Sequence, residues 1–198
     1  MDPRIYNVDI NIIACVHSFN CLSGGEEGEE WGIGGSGEMV WHIKADLTRF
    51  KTLTTAPRSV VCVGRVTWDG IKDRVDRKGD KRFWVVLTRT PSAYSNEEDV
   101  EYISSFNDVY DISRREGVGV VWVIGGRKVW KECFSLITPD KVFLTKIMRS
   151  DPTLEIHSKT DCYATFMKDI LDRSYDLHFV EDMYEGAFYY KNLVYYSS

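Results

Sequence analysis

Short β-branched runs alternate with stretches of helical period along much of this chain, the pattern of an α/β sheet with crossover helices. Asn11–Val16 (NIIACV) is apolar throughout rather than alternating, so it reads as a central strand covered on both faces. Ser59–Gly64 (SVVCVG), Phe83–Thr88 (FWVVLT), Gly119–Ile124 (GVVWVI) and Lys141–Ile147 (KVFLTKI) continue the series. The aromatic runs YDLHFVED and AFYYKNLVYY flank Glu185–Gly186 and predict an antiparallel hairpin. Helices are expected after Trp41, Gly64 and Gly126, and over Phe106–Arg115. No internal repeat is visible.

The helix after Trp41, WHIKADLTRFK, carries an anomaly. Ile43, Asp46, Leu47 and Phe50 fall at i, i+3, i+4 and i+7 and share one face. Three are apolar and the fourth is an acid. An ionised carboxylate is costly to bury unless something pairs with it. Asp46 is therefore a satisfied structural group, a hook for a ligand, or a first-turn acid favoured by the helix dipole and touching solvent.

Ser23–Glu30 (SGGEEGEE) has no apolar residue with which to pack and is expected to be a mobile, solvated loop. It marks an acidic Gly/Glu-rich insertion over about 17–30 in an otherwise single domain spanning 1–198.

Composition narrows the class. Hydrophobic residues make up 43% and charged ones 28%, an ordinary globular balance, and 11 Tyr, 9 Phe and 6 Trp supply rigid rings for a core or cleft. The net charge of −5 argues against a general nucleic-acid binder. Cys15, Cys21, Cys62, Cys133 and Cys162 lack metal-type spacing, and three of them lie in apolar runs. A reducing compartment without a disulfide framework is the reading. The N-terminal segment does not resemble a signal peptide, and no apolar stretch reaches the length of a membrane span. A cytoplasmic protein is expected. His17, His42, His157 and His178 are scattered, so no metal site is expected.

Three glycine or arginine features end strands. Gly64-Arg65-Val66-Thr67 would open a helix, whose unpaired N–H groups and positive dipole end suit phosphate. Leu87-Thr88-Arg89 brings a second guanidinium to a strand end. Ile124-Gly125-Gly126 lets a flat ligand approach the main chain, although it is not the GxGxxG fingerprint of a Rossmann domain. Singly, each also reads as a structural turn or a surface arginine. Together they point to a phosphate-rich dinucleotide bound beyond the carboxyl ends of the strands.

These segments, in this order, resemble dihydrofolate reductase. The likeness runs through NIIACV, WGIGGSGEMVWHIKADLTRFK, VVCVGRVTWDGI, RFWVVLTR, VWVIGGRKVWKE and KVFLTKI, with the aromatic hairpin similar to the family's C-terminal strands. The resemblance implies an α/β fold: a mainly parallel central sheet of about eight strands with an antiparallel C-terminal hairpin and flanking helices, three layers in all. It implies NADPH-dependent reduction of dihydrofolate, with hydride transfer to C6 and protonation of N5, by a monofunctional, monomeric enzyme that antifolates inhibit.

Residue by residue, the resemblance assigns Asp46 to the pterin's 2-amino group and N3–H, Trp41 to an ordered water, and Thr145 to a hydrogen bond with Asp46. Ile12 and Ile124 would offer backbone carbonyls, and Leu47 and Phe50 would pack against the ring. Ile71 would line the aminobenzoyl region, and Arg82 would grip the glutamate α-carboxylate as a bidentate guanidinium. Arg65 and Arg89 would approach the 2′-phosphate, and Gly64, Val66 and Thr67, with Leu87 and Thr88, would line the cofactor. The helix beginning Gly126-Arg127, with Gly125, Lys128, Val129 and Trp130, would hold the rest. Ala14 and Ile33, with Gly37 and Met39 in the gating loop Gly34–Met39, would cover the nicotinamide.

The sequence departs from the family's pattern at several places, among them the SGGEEGEE insertion before the gating loop and a longer connection at DPTLEIHSK. Val40 replaces the usual Pro, and Trp130 stands where a Tyr is usual. The segment Asp161–Ile170 aligns with either Asp161 or Ala164 at the position that steadies the loop. Rival readings are a same-fold reductase of a pyrimidine riboside and a non-catalytic binder of NADPH or folate.

Overall fold

The computed structural model describes residues 8–23, 26–55, 59–75 and 81–198. Among these residues, ten strands and six α-helices follow one another as β1 (Asp9–Ser23), β2 (Glu26–Gly34), α1 (Lys44–Thr54), β3 (Ser59–Gly64), α2 (Arg65–Ile71), β4 (Phe83–Leu87), β5 (Val100–Ile103), α3 (Asp108–Arg115), β6 (Val120–Gly125), α4 (Arg127–Leu136), β7 (Lys141–Ser150), α5 (Ile156–Lys159), β8 (Cys162–Tyr163), α6 (Phe166–Ser174), β9 (Tyr175–Glu185) and β10 (Phe188–Ser197). Eight strands lie on the main hydrogen-bonded path, with β2 and β8 beside it. The chain divides into two compact units, and β1 runs from the first into the second.

The first unit holds Met1–Ile13 and Arg49–Asp140. Its ladders, β1 with β6, β6 with β3, β3 with β4 and β4 with β5, are all parallel. Parallel strands are covered on both faces, which explains the unbroken apolar runs. Val60, Val61, Cys62 and Val63 on β3, Trp84, Val85 and Val86 on β4, and Val121 and Val123 on β6 are buried, and Trp68 of α2 packs 5.1 Å from Trp84 between ring centroids. The helix read over Phe106–Arg115 starts at Asp108. Phe106 precedes it as a fully buried anchor whose backbone N–H donates to the Glu132 carboxylate.

The second unit holds Ala14–Thr48 and Lys141–Ser198, where β1 with β2, β2 with β8, β7 with β10 and β10 with β9 pair antiparallel. The hairpin of β9 and β10 turns at Gly186, whose φ of 55° suits glycine, and β10 pairs along its length with β7. Phe19, Trp41, Ile43, Ile147, Ile156 and Tyr190 form this unit's core cluster.

The acidic stretch corrects the sequence reading. Instead of a solvated loop, Glu26–Gly34 is a strand paired with His17–Ser23 of β1; Gly24 and Gly25 lie outside the described residues. A backbone ladder does not require apolar side chains, and the charge of Glu29 is matched by Lys146 Nζ at 2.5 Å and by the Ser18 hydroxyl. Burial alone would raise the Glu29 pKa, but Lys146 and Ser18 outweigh it and hold the carboxyl below its ordinary value. The lengthened β1 also buries His17, whose ring stacks on Phe19 at 4.3 Å; burial lowers the imidazole pKa.

Burial sorts the thiols. It pushes Cys62 up to about 12, assisted by the Glu132 carboxylate, and carries Cys133 well above its ordinary value. The half-buried thiols are Cys15, Cys21 and Cys162. Alkylation of the native protein at neutral pH, read by mass spectrometry, is therefore expected at those three alone, with Cys62 and Cys133 labelled only after unfolding. Rapid native labelling of Cys62 would contradict the burial of β3.

Candidate active site

Helix α1 places Asp46 in its first turn, half-buried. Of the expected apolar stripe only Ile43 is closed off, at 1% exposure, whereas Leu47 is 39% exposed and Phe50 half-buried. An apolar stripe left partly open around a carboxylate is what a face for a flat, hydrogen-bonding ligand requires. The start of α1 is held from afar. Ile43 accepts the first helical bond, from Leu47, yet its side chain cannot cap. Both Glu185 carboxylate oxygens fill that role, accepting from the backbone N–H of Lys44 at 2.7 Å and of Ala45 at 2.9 Å.

Other members of the second unit's group are buried polar or aromatic residues. Thr145 on β7 donates to Asn192 Oδ1 of β10 at 3.3 Å, and Asn192 donates in turn to Glu181 at 3.1 Å. Trp41 is buried and its indole N–H donates to Cys15 Sγ at 3.2 Å. Tyr190, two residues before Asn192, is buried; burial raises its pKa, and the charges of Glu185, Asp46 and Glu181 add to the effect. Ala14 is buried on β1 and Ile33 half-buried on β2.

The segment expected to gate the site is a tight turn. Gly35 and Glu38 exchange both backbone hydrogen bonds, with Ser36 at φ 52° and Gly37 at φ 84° between them. Positive φ at both central residues is the type I′ signature. Asp161 accepts from the Ser36 N–H at 2.9 Å, while its own N–H donates to the Gly34 carbonyl. Ala164 is buried and offers no side-chain acceptor, so of the two alignments Asp161 is the one that steadies this turn. Met39 beyond it is 45% exposed.

In the first unit, Arg82 is buried, donates to Thr54 Oγ1 at 3.0 Å and lies 4.8 Å over the Trp84 ring and 6.0 Å from that of Phe50. Thr54 is anchored to the Phe50 carbonyl at 2.9 Å, so the last turn of α1 aims the guanidinium. Ile71 is half-buried at the end of α2.

The strand ends of this unit are bare where the glycines fall. A Cβ on Gly64 would meet Val129 Cγ2 at 3.0 Å, and one on Gly126 would meet Thr67 Oγ1 at 3.1 Å. Gly125 and Gly126 are joined by a cis peptide, and Gly126 caps α4, whose Arg127 and Lys128 are exposed while Val129 and Trp130 are buried. Register between β3 and β6 shifts at Ile124, since Cys62 pairs with Val123 and Val63 with Gly125. Such a bulge leaves the extra residue out of the ladder. Ile12 is buried opposite Val123. Arg65 reaches Asp69 at 2.5 Å, Val66 is exposed, Leu87 is half-buried, Thr88 is buried and Arg89 is exposed.

The family model for dihydrofolate reductase matches residues 26–168, well over half of the chain. The chain belongs to the dihydrofolate reductase family. A dihydrofolate reductase of Schistosoma mansoni is 32% identical over 149 residues, covering 71% of this chain and 74% of that protein. One from Mycobacterium leprae is 31% identical over 137 residues, covering 69% and 75%. The fold agrees with a dihydrofolate reductase from Enterococcus faecalis complexed with NADP(H) and RAB-propyl, at a TM-score of 0.69 and 19% identity over 97% of each chain.

Within this dihydrofolate reductase fold, Trp130 has a clear structural task. Its indole N–H donates to the Val123 carbonyl at 3.2 Å, and its ring fills the space beside Gly125. Sequence reasoning passed over Glu185, Asn192 and Thr54. Only Thr54 had a local signal, an i−4 hydroxyl bond at the end of α1; the other two are brought in by strands remote in the chain.

Proposed function

We propose that this chain reduces 7,8-dihydrofolate to tetrahydrofolate with NADPH, supplying one-carbon metabolism. Asp46 carries the reading, because a carboxylate set among Ile43, Leu47 and Phe50 can accept two parallel hydrogen bonds from a pterin edge. Thr145 and Trp41 act as its neighbours, and Leu47 and Phe50 supply the apolar contact. The carbonyls of Ile12 and Ile124 offer acceptors to the ring. Arg82, pre-oriented by Thr54 and stacked on Trp84, is built to clamp the glutamate carboxylate, with Ile71 along the aminobenzoyl group.

The first unit's glycines and cations fit NADPH. Gly64 and Gly126 leave no side chain between the end of β3 and the start of α4, and Arg65, Arg89, Arg127 and Lys128 bring positive charge to the ends of β3 and β4 and the start of α4. Bound there, NADPH supplies the hydride. The protein orients the pterin through Asp46, holds the phosphates through Thr67, Thr88 and the N-terminus of α4, and excludes water with Gly37 and Met39 together with Ala14 and Ile33. Lys128, Val129 and Trp130 maintain the helix that follows the Gly-Gly turn, while Val66 and Leu87 line the cofactor's path. This reading makes the protein a cytoplasmic monomer inhibited by antifolates. No helix among the described residues is long and apolar enough to cross a membrane.

Purified protein with dihydrofolate and NADPH is expected to oxidise NADPH, with methotrexate abolishing the signal. NADPH binding without oxidation sinks the reductase reading. Cofactor choice has its own test. Replacing Arg65 and Arg89 by Ala should weaken NADPH by about tenfold to a hundredfold for each arginine lost while barely changing NADH, since charge-assisted bonds are worth about 1.5–3 kcal/mol. Equal losses for both dinucleotides remove these arginines from the 2′-phosphate.

A further inference from the structure

We propose that Glu185, at the end of β9, is a positioning residue for Asp46, acting as a remote cap that sets where α1 begins. The inference rests on Asp46 being the substrate-binding carboxylate. A helix start leaves its first N–H groups without intrahelical partners, and a nearby Ser, Thr, Asp or Asn normally satisfies one. Here the residue at that position is Ile43, and the bonds come instead from a residue 140 positions away from Ala45. Glu185 Oε1 takes the N–H of Lys44 and Oε2 that of Ala45. These are the two peptides immediately before Asp46.

A bidentate carboxylate constrains both the position and the rotation of this first turn, since two adjacent N–H vectors must converge on one planar group. Rotation of the turn would swing Asp46 about the helix axis, away from the direction it shares with Leu47 and Phe50. Glu185 itself is held by the β9–β10 hairpin, where it pairs with Phe188 across the Gly186 turn. The hairpin continues into Tyr190 and Asn192, and Asn192 receives the Thr145 hydroxyl. One strand-turn-strand element thus holds α1 by its first turn and also carries the partner of Thr145. The raised pKa of the buried Tyr190 hydroxyl, after burial itself, reflects Glu185 and Asp46 together, consistent with both carboxylates lying near it.

The test compares Glu185→Ala and Glu185→Gln with the full-length wild type. Gln keeps an acceptor oxygen without the charge, whereas Ala keeps neither. Well below the melting temperature, Glu185→Ala should lose about tenfold or more in kcat/KM for dihydrofolate, because small misplacements of a reacting constellation are amplified in rate. NADPH affinity, read by fluorescence titration, should stay within about twofold, since the cap touches no cofactor residue. Glu185→Gln should recover only part of the loss, because its oxygen can take one of the two N–H groups while its NH2 faces the other. A merely structural role would lower the melting temperature and leave kcat/KM of both variants at the wild-type value.

Amide hydrogen exchange in the wild type provides a readout that needs neither variant nor substrate. Lys44 and Ala45 should exchange slowly for first-turn amides, and fast exchange there overturns the cap even if Glu185→Ala fails to fold. Failure of the underlying reading shows as a wild type that does not reduce dihydrofolate. Failure of this inference shows as an active wild type matched by a folded Glu185→Ala.

Discussion

Asp46→Asn is expected to fold like the wild type and to lose about two to four orders of magnitude in turnover of dihydrofolate at neutral pH, the range a positioned acid–base group supplies. The fold survives because Asp46 is only half-buried and the N-terminus of α1 is secured by Glu185. Turnover falls because a carboxylate is acceptor-only, and the pterin's 2-amino group and N3–H both donate. Asn turns one of its two polar atoms into a donor facing a donor and removes the charge. Circular dichroism checks the first half of the expectation and NADPH oxidation the second. A folded variant with near-wild-type rates would take Asp46 out of the mechanism.

Gly125→Ala is expected to be the most damaging methyl addition among Gly64, Gly125 and Gly126. Gly125 holds φ at 108°, where side chains are strained, and a Cβ there would lie 2.7 Å from Trp130 Cζ2 and 2.9 Å from Cε2. The indole cannot retreat cheaply, because it is buried and its N–H is committed to the Val123 carbonyl. Backbone strain together with overpacking points to about 3 kcal/mol or more of lost stability. For a protein of this size that corresponds to a fall in melting temperature of about 6–12 °C. Gly126→Ala is the control. Its φ of −78° is ordinary, and its Cβ would press only against Thr67 Oγ1 at 3.1 Å. The contrast would be read by thermal melts with and without NADPH, and equal melting of the two variants would refute the account of Trp130 as the obstacle.

The positions that were legible in the sequence share a cause. Strands β3, β4 and β6 announced themselves because burial on both faces demands unbroken apolar residues, and the structure buries them so. Asp46 stood out because helical spacing put it among Ile43, Leu47 and Phe50. Strand β2 was misread for an equally physical reason. Composition judged SGGEEGEE by its side chains, whereas the segment is held by backbone bonds to β1 and by Lys146 against Glu29. Periodicity over a few residues reports local conformation, and it is silent about a partner strand that supplies the ladder.

By itself, the sequence determined seven of the strands and four of the helices in their order, the acid within an apolar stripe, the glycines and arginines at strand ends, and through them the family. Tertiary structure alone decided which residues those features meet. Glu185 caps an α1 whose own flanking residue is Ile43, Asn192 takes the Thr145 hydroxyl, Asp161 rather than Ala164 holds the turn at Ser36, and Trp130 braces Gly125. Each of these contacts except the last joins segments tens of residues or more apart. Propensity and periodicity are properties of near neighbours, but a hydrogen bond between elements depends on where the folded chain returns.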